Sequence, residues 1–463
     1  MKTWKEQLGR TKLDIGILAG LLLLFGGIFL LFDVRELSDS FQYLHQFVAR
    51  EPVYALLLQL LTTLFKENYT IPLGILQNLL AVISIYWLYR RISEILDMNW
   101  FSNILVVLLL LSPHIVTPLV SRTHMIITNS VLTEGIAVSL YYVWFGMLLS
   151  SLMGFYRQRK ILHTAESLLI SVLLSMIRGQ LMICIIVWTI VMLFISFKEK
   201  QYKKILLVLL TALLSFGLKT ELTKIYNYLE SDLYVNTVSS KPMLLANAVY
   251  VADLEDGRSI TDDKLKEAYE KIITGIQTDG LSIQSASGNL IEKANFHEAG
   301  HEIINFDYIV PALNAYTEYQ DGITESEYFS LLIKQDQYAG EIFSAIFPNI
   351  LSKFVKNYFC IASLGFVRSV AVDRSILSIY ALCIYVAAAA FVLILLRKDW
   401  KSRSAWFMIL VMLLICGTVF GTSIMIECIS RYMIYNLPLF YIAGLAMVNE
   451  WLARKRKDRK NGI

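Results

Sequence analysis

Asp39, Arg50, Glu51, Arg122, His124, Arg178 and Arg431 are charged or titratable residues set close to long apolar runs. A carboxylate among several arginines has a definite chemical use. It takes the proton of an incoming hydroxyl while the cations hold a departing phosphate, which is what a group transfer off a phosphate requires. Arginine suits that phosphate because its planar fork bonds two oxygens at once and its charge cannot be lost. Arg178 sits between two apolar runs, where an ionisable group is costly enough to be a functional candidate by default. Glu134 is its expected partner, either orienting an arginine or opening the helix that follows. Arg431 stands beside Tyr432 and is either a phosphate ligand or a snorkelling anchor.

The elements that must position these residues are membrane helices. Hydrophobic residues make up 56% of the 463 and charged residues 17%, with a mean hydropathy of +0.55, more apolar than a soluble domain can bury. Spanning the hydrocarbon takes about 20 apolar residues. Runs of that kind fall at 14–32, 70–89, 101–120, 129–153, 161–178, 180–197, 204–222, 376–396, 405–427 and 432–451, about ten spans of an all-α polytopic membrane protein. Basic residues collect in cytoplasmic loops. Lys2, Lys5, Arg10 and Lys12 place the N-terminus inside, and basic clusters at 90–91, 157–160, 198–204, 397–403 and 454–460 follow every second span. Both termini are therefore expected to be cytoplasmic. The first run is longer than a leader's apolar core and no small-residue cleavage pattern follows Phe32, so it reads as an anchor. The net charge of +4 belongs to these loops, and no nucleic-acid partner is implied. The five cysteines show no paired spacing, which argues against a disulfide framework or a cysteine zinc site.

Three parts follow from this scheme: an N-terminal transmembrane module (1–222), an external soluble domain (223–357) and a C-terminal transmembrane module with a basic tail (358–463). Within 223–357, acidic pairs such as Glu255-Asp256 and Asp262-Asp263 stand out, and helical stretches at 261–273 and 325–335 alternate with turns such as SIQSASGN. A small, mainly helical domain is expected. The first external loop, 33–69, carries two interfacial helices. In one, Phe41, Leu44, Phe47 and Val48 form an apolar face at helical spacing for the membrane surface. The other is VYALLLQLLTTLF, too short to span and opened by Pro52.

The loop SDSFQYLHQFVAREPVYALLLQLL resembles the first external loop of the GT-C glycosyltransferases, the polyprenyl-phosphate-sugar-dependent enzymes related to protein mannosyltransferases and the aminoarabinose transferase of lipid A. That family carries an Asp-Glu-x-x-Tyr element followed by a Pro-containing one. Asp39 and Tyr43 match the first, Ser40 stands where the Glu would be, and Arg50-Glu51-Pro52-Val53-Tyr54 is similar to the second. Three further stretches, TNSVLTEGIAVSLYYVW, LLSMIRGQL and CISRYMIYNLPLFYIAGL, resemble the family's fourth span, its Arg-bearing turn and its last span. The resemblance implies a transferase moving a sugar from a polyprenyl-phosphate donor to a glycan, lipid or protein at the cell surface. Asp39 and Glu51 are then the catalytic carboxylates, and Arg50, Arg122, Arg178 and Arg431 hold the donor phosphate. Tyr43, His124, Glu134 and Tyr432 contact substrate. No cofactor is required, although a divalent metal ion is compatible, and the expected location is the cell membrane with the site external.

A rival signal is FHEAGHEI. His297 and His301 lie four apart with Glu298 beside the first, the pattern that puts two imidazoles on one helix face for zinc with the Glu as general base of a metalloprotease. It also resembles the string of AAA-type membrane proteases. Glu318 or Glu325 would have to be the third ligand, no nucleotide-binding loop accompanies it, and Gly300 weakens the helix. A polymerase or ligase joining lipid-linked glycans is the nearer alternative, since it shares the lipid-phosphate chemistry.

Overall fold

The computed structural model describes residues 4–45, 48–121, 123–154, 160–371 and 375–460. Helices α1 (Trp4–Leu31), α2 (Ser40–Leu44), α3 (Pro52–Phe65), α4 (Thr70–Leu96), α5 (Trp100–Val120) and α6 (Glu134–Leu152) make the first part. Then come α7 (Lys160–Ile177), α8 (Ile183–Lys198) and α9 (Tyr202–Ser231). Helices α10 (Ser240–Val249), α11 (Asp263–Thr278), α12 (Leu290–Ile303), α13 (Val310–Asp321) and α14 (Tyr328–Val370) follow. The chain closes with α15 (Ser375–Lys398), α16 (Arg403–Met425), the single turn α17 (Ser430–Met433) and α18 (Leu437–Lys460). Among the described residues there is no strand, only an isolated parallel bridge between Arg35 and Ser130.

Nine helical segments among the described residues are long and apolar enough to cross a membrane. One contains α14, and the other eight fall on runs read from the sequence. The run at 161–178 forms the shorter α7, and that at 432–451 forms α17 and most of α18. Helices α9 and α15 expose rows of apolar side chains, including Leu206, Leu210, Leu213, Leu214, Ile379, Leu382 and Val386, a surface suited to hydrocarbon rather than water. This is a multi-pass membrane architecture.

The two membrane modules share one core. It runs from Leu21 and Phe25 through α4 and α6 to Phe407, Leu439 and Met447 without a break. The helical domain has a second core, from Leu245 to Phe354, built on Tyr269, Ile273, Leu313, Ile342 and Ile346. The boundaries at 222 and 357 fall inside helices, because α9 continues to Ser231 and α14 to Val370. A helix leaving the bilayer keeps its own backbone hydrogen bonds, so it has no reason to stop where apolarity does. The stretch 325–335 likewise becomes a 3-10 turn, Glu325–Glu327, followed by the start of α14.

The first loop departs from the expected pair of surface helices. Helix α3 begins at Pro52, as read, and stops at Lys66, whose φ of 51° ends the regular hydrogen bonding. Helix α2, however, is five residues long, and only Phe41 of the predicted apolar face is exposed. Val48 is fully buried and Leu44 packs on the membrane core, while Phe47 lies outside the described residues. The bundle takes Leu44 and Val48 of this face for itself and leaves Phe41 outside.

Candidate active site

Ser40, at the position of the missing carboxylate, anchors the loop. Its Oγ accepts the Leu37 N–H at 2.7 Å and donates to the Val131 carbonyl at 2.8 Å. The Arg35 bridge adds two backbone bonds, Arg35 N–H to Asn129 O and Val131 N–H to Arg35 O, each 2.9 Å. The last three of these bonds stitch the loop bearing Asp39 to the segment that ends at Glu134, the first residue of α6. Gly135 makes the junction possible, since a Cβ there would lie 1.3 Å from Gln77 Oε1 of α4.

Five charged groups converge at this seam. Asp39 Oδ1 lies 3.3 Å from Arg50 Nη2, and its Oδ2 lies 3.0 Å from Arg431 Nη2. Glu134 Oε1 lies 2.5 Å from Arg178 Nη1 and 4.0 Å from Arg431 Nε. Thr133 Oγ1 donates to the other Glu134 oxygen at 3.2 Å and accepts from Arg178 at 3.4 Å. Arg431 thus bridges the two carboxylates. Tyr432 lies under both of its neighbours, with the Arg178 guanidinium 4.8 Å and that of Arg431 5.4 Å from the ring centre. Tyr43 receives Arg50 at 5.2 Å and packs edge-on against Tyr54. Burial pushes the Tyr43 phenol above its ordinary pKa, so it stays protonated at neutral pH.

The site has a buried floor and an open rim. Glu134 and Arg178 expose 3% and 12% of their side chains, whereas Asp39, Arg50 and Arg431 expose 25%, 29% and 34%. Three arginines face two carboxylates, an excess of one positive charge. An anion arriving at the rim meets Arg50 and Arg431 first.

Other expected site residues lie elsewhere. Glu51 turns to α9, where its Oε1 is 2.7 Å from Lys219 Nζ and 3.4 Å from Thr237 Oγ1. Burial raises its pKa and Lys219 pulls it partly back. The pair fastens α9 to the start of α3, and Val238 N–H to Val48 O at 3.2 Å covers it. His124 sits at a φ of 51°, lining a separate cavity of about 430 Å³ with Asp33, Arg35 and His114. Arg122 lies outside the described residues.

The histidine pair is packed among protein groups between the helical domain and the bundle. His301 has both ring nitrogens engaged, Nδ1 2.8 Å from Glu427 Oε2 and Nε2 3.2 Å from the Met243 carbonyl. His297 is buried edge-on against Tyr250. Glu298, the would-be general base, pairs with Arg368. Glu318 and Glu325 are exposed and far from supplying a buried ligand. Among the described residues no three His, Cys, Asp or Glu side chains form a metal-binding group.

Lys219, Thr133 and Glu427 are the residues that sequence reasoning passed over. Lys219 had a usable signal, a lone cation within the apolar run of α9. Glu427 had none, since it pairs with a histidine more than a hundred residues away. No known protein family, curated protein or solved structure matches the chain.

Proposed function

We propose that this chain is a GT-C-type glycosyltransferase that moves a sugar from a polyprenyl phosphate to a cell-surface glycan, lipid or protein. The observation that carries the reading is the cluster in which Arg50, Arg178 and Arg431 meet Asp39 and Glu134 at one end of the bundle. Its excess positive charge and open arginine rim suit a lipid phosphate held at the membrane surface.

The chain's own residues divide the work. Without substrate, Arg50 and Arg431 rest on Asp39. A phosphate competes for both, which leaves the Asp39 lone pairs open to an acceptor hydroxyl. Asp39 then takes that hydroxyl's proton as the oxygen attacks the sugar's anomeric carbon. The bond from that carbon to the phosphate oxygen breaks, and its electron pair stays with the phosphate under the arginines. Glu134 holds Arg178 and Arg431 in place, so the carboxylate pair of this chain is Asp39 and Glu134 rather than two consecutive residues.

The proposed orientation puts both termini in the cytoplasm and the cluster with its helical domain outside the cell membrane. Ten crossings fit if α14 is not one of them. That is supported by its packing, since its first half builds the domain core and its second half lies along the end of α16 nearest the site. Purified protein in liposomes, given a polyprenyl-phosphate monosaccharide and a cell-envelope extract as acceptor, should release the polyprenyl phosphate with wild type and not with Asp39→Asn. Turnover only with a polyprenyl-diphosphate oligosaccharide would make it a polymerase or ligase.

A further inference from the structure

We infer that the helical domain is a clamp that positions Arg431, holding the loop between α16 and α17 from behind. The loop, 426–429, leaves α16 in an extended conformation and delivers Arg431 and Tyr432 to the cluster. Its own bonds are few: Ile429 N–H to Glu427 O at 3.1 Å and Tyr432 N–H to Ile429 O at 3.0 Å. Within α16, Ser423 Oγ and the Val419 carbonyl contact the Cys428 thiol, and α10 and α12 of the domain, with the half of α14 that packs on the bundle, supply the rest. From α10, Asn247 Nδ2 donates to Ile424 O at 3.0 Å. From α12, His301 takes Glu427 at 2.8 Å. From α14, Arg368 Nη1 donates to Cys428 O at 3.0 Å and is itself held by Glu298 and, through Nη2 at 3.4 Å, by Asn295. Gly365 lets α14 approach this closely, because a Cβ there would lie 2.9 Å from the Cys428 sulfur.

The positions on the loop make the clamp specific. Glu427 and Cys428 are both buried, and they precede Arg431 by four and three residues. Neither Arg368 nor Glu427 pairs with the five charged groups of the cluster. Arg368 pairs with Glu298 and reaches the loop through the Cys428 carbonyl, Glu427 pairs with His301, and among the described residues Arg431 links the loop to both Asp39 and Glu134. A small shift of the loop therefore breaks two ion pairs together, and misplacement by about 1 Å at such a site costs on the order of a hundredfold. Arg368 is a positioning residue on this account. Its effect on phosphate binding rests on the transferase reading, while its hold on the loop does not.

The test uses the full chain in nanodiscs with two readouts, backbone hydrogen exchange over 426–433 and the Kd for decaprenyl phosphate. Arg368→Ala should raise exchange in that segment and weaken decaprenyl phosphate about tenfold or more, and Arg368→Lys should recover part of both. In an Arg431→Ala background, Arg368→Ala should weaken binding no further, since the clamp works through Arg431. Unchanged exchange over 426–433, or additive losses in the double variant, would overturn the inference. If Arg368→Ala does not fold, Glu298→Gln carries the same expectation in weaker form. Should the wild type bind no decaprenyl phosphate, the transferase reading fails, and the exchange readout alone decides the clamp.

Discussion

Asp39 and Glu51 stand twelve residues apart and carry the same charge, yet their surroundings give them different work. Asp39 has two exposed arginines that a ligand can draw away, whereas Glu51 is buried against Lys219. Asp39→Asn keeps the shape and loses the base, so transfer should fall by about a thousandfold while folding and insertion persist. Glu51→Gln should instead leave Lys219 an uncompensated buried charge and cost stability, measured as thermal inactivation, with kcat within a few-fold of wild type. A loss of kcat at unchanged stability would return Glu51 to the chemistry. Arg178→Ala tests the floor: it removes a phosphate ligand and strands Glu134, so kcat/KM and thermal stability should drop together, and adding Glu134→Gln should restore the stability alone. At this scale the site was readable where a charge interrupts an apolar run, as for Arg178, and where the loop pattern put Asp39 beside Tyr43. The Lys219 partner of Glu51 was not legible, because nothing in a sequence says which neighbour a buried carboxylate will find.

Helix α12 shows how one motif carries two incompatible meanings. Its two histidines at helical spacing fit zinc, but both are buried, His297 against Tyr250 of the domain and His301 against Glu427. Purified full-length protein should therefore hold no stoichiometric zinc, and metal analysis returning one zinc per chain would contradict the pairing of His301 with Glu427 and Met243. The same burial has a consequence for pH. Desolvation first, and His301 second, push the His297 pKa from 6.5 down to about 3, with Glu427 pulling the other way. The folded chain thus refuses a proton that the unfolded chain accepts below about pH 6.5. Stability contributed by neutral His297 is present above that pH and is lost as pH falls toward 3, by about 2 kcal/mol at about pH 5. Hydrogen exchange in α10 and α12, compared at each pH with His297→Phe, should show the wild type loosening faster on acidification; parallel pH dependence would exclude His297 as the cause. The helix at 261–273 and the turn SIQSASGN were legible, while the caps come from the structure: Asp262 accepts the Leu265 N–H to open α11 and Asn289 with Glu292 boxes the start of α12. The face each helix buries was not, because α12 has charged and apolar residues on all sides.

Across the whole molecule, one apolar core joins α1 to α18 and a second core sits at the end where Asp39, Glu134 and the arginines meet. The helices themselves were legible from hydropathy alone, because lipid leaves a backbone no alternative. The order in which they pack was not, since apolar surfaces carry little address. Helix α14 is the case that decides the topology: it is apolar enough to cross, and if it did, everything after it would be inverted. That inversion would place the basic clusters at 397–403 and 454–460 outside, against the bias that sets membrane orientation. It would also separate Arg431 from Asp39, which lie 3.0 Å apart. Reporters that register only one side of the membrane should therefore read external after Gly280 and cytoplasmic after both Lys200 and Lys460. A cytoplasmic signal after Gly280 would put the helical domain and the cluster it clamps on the wrong side for any cell-surface acceptor. A split result, external after Gly280 but also external after Lys460, would mean that α14 crosses with α15, α16 and α18 still crossing after it.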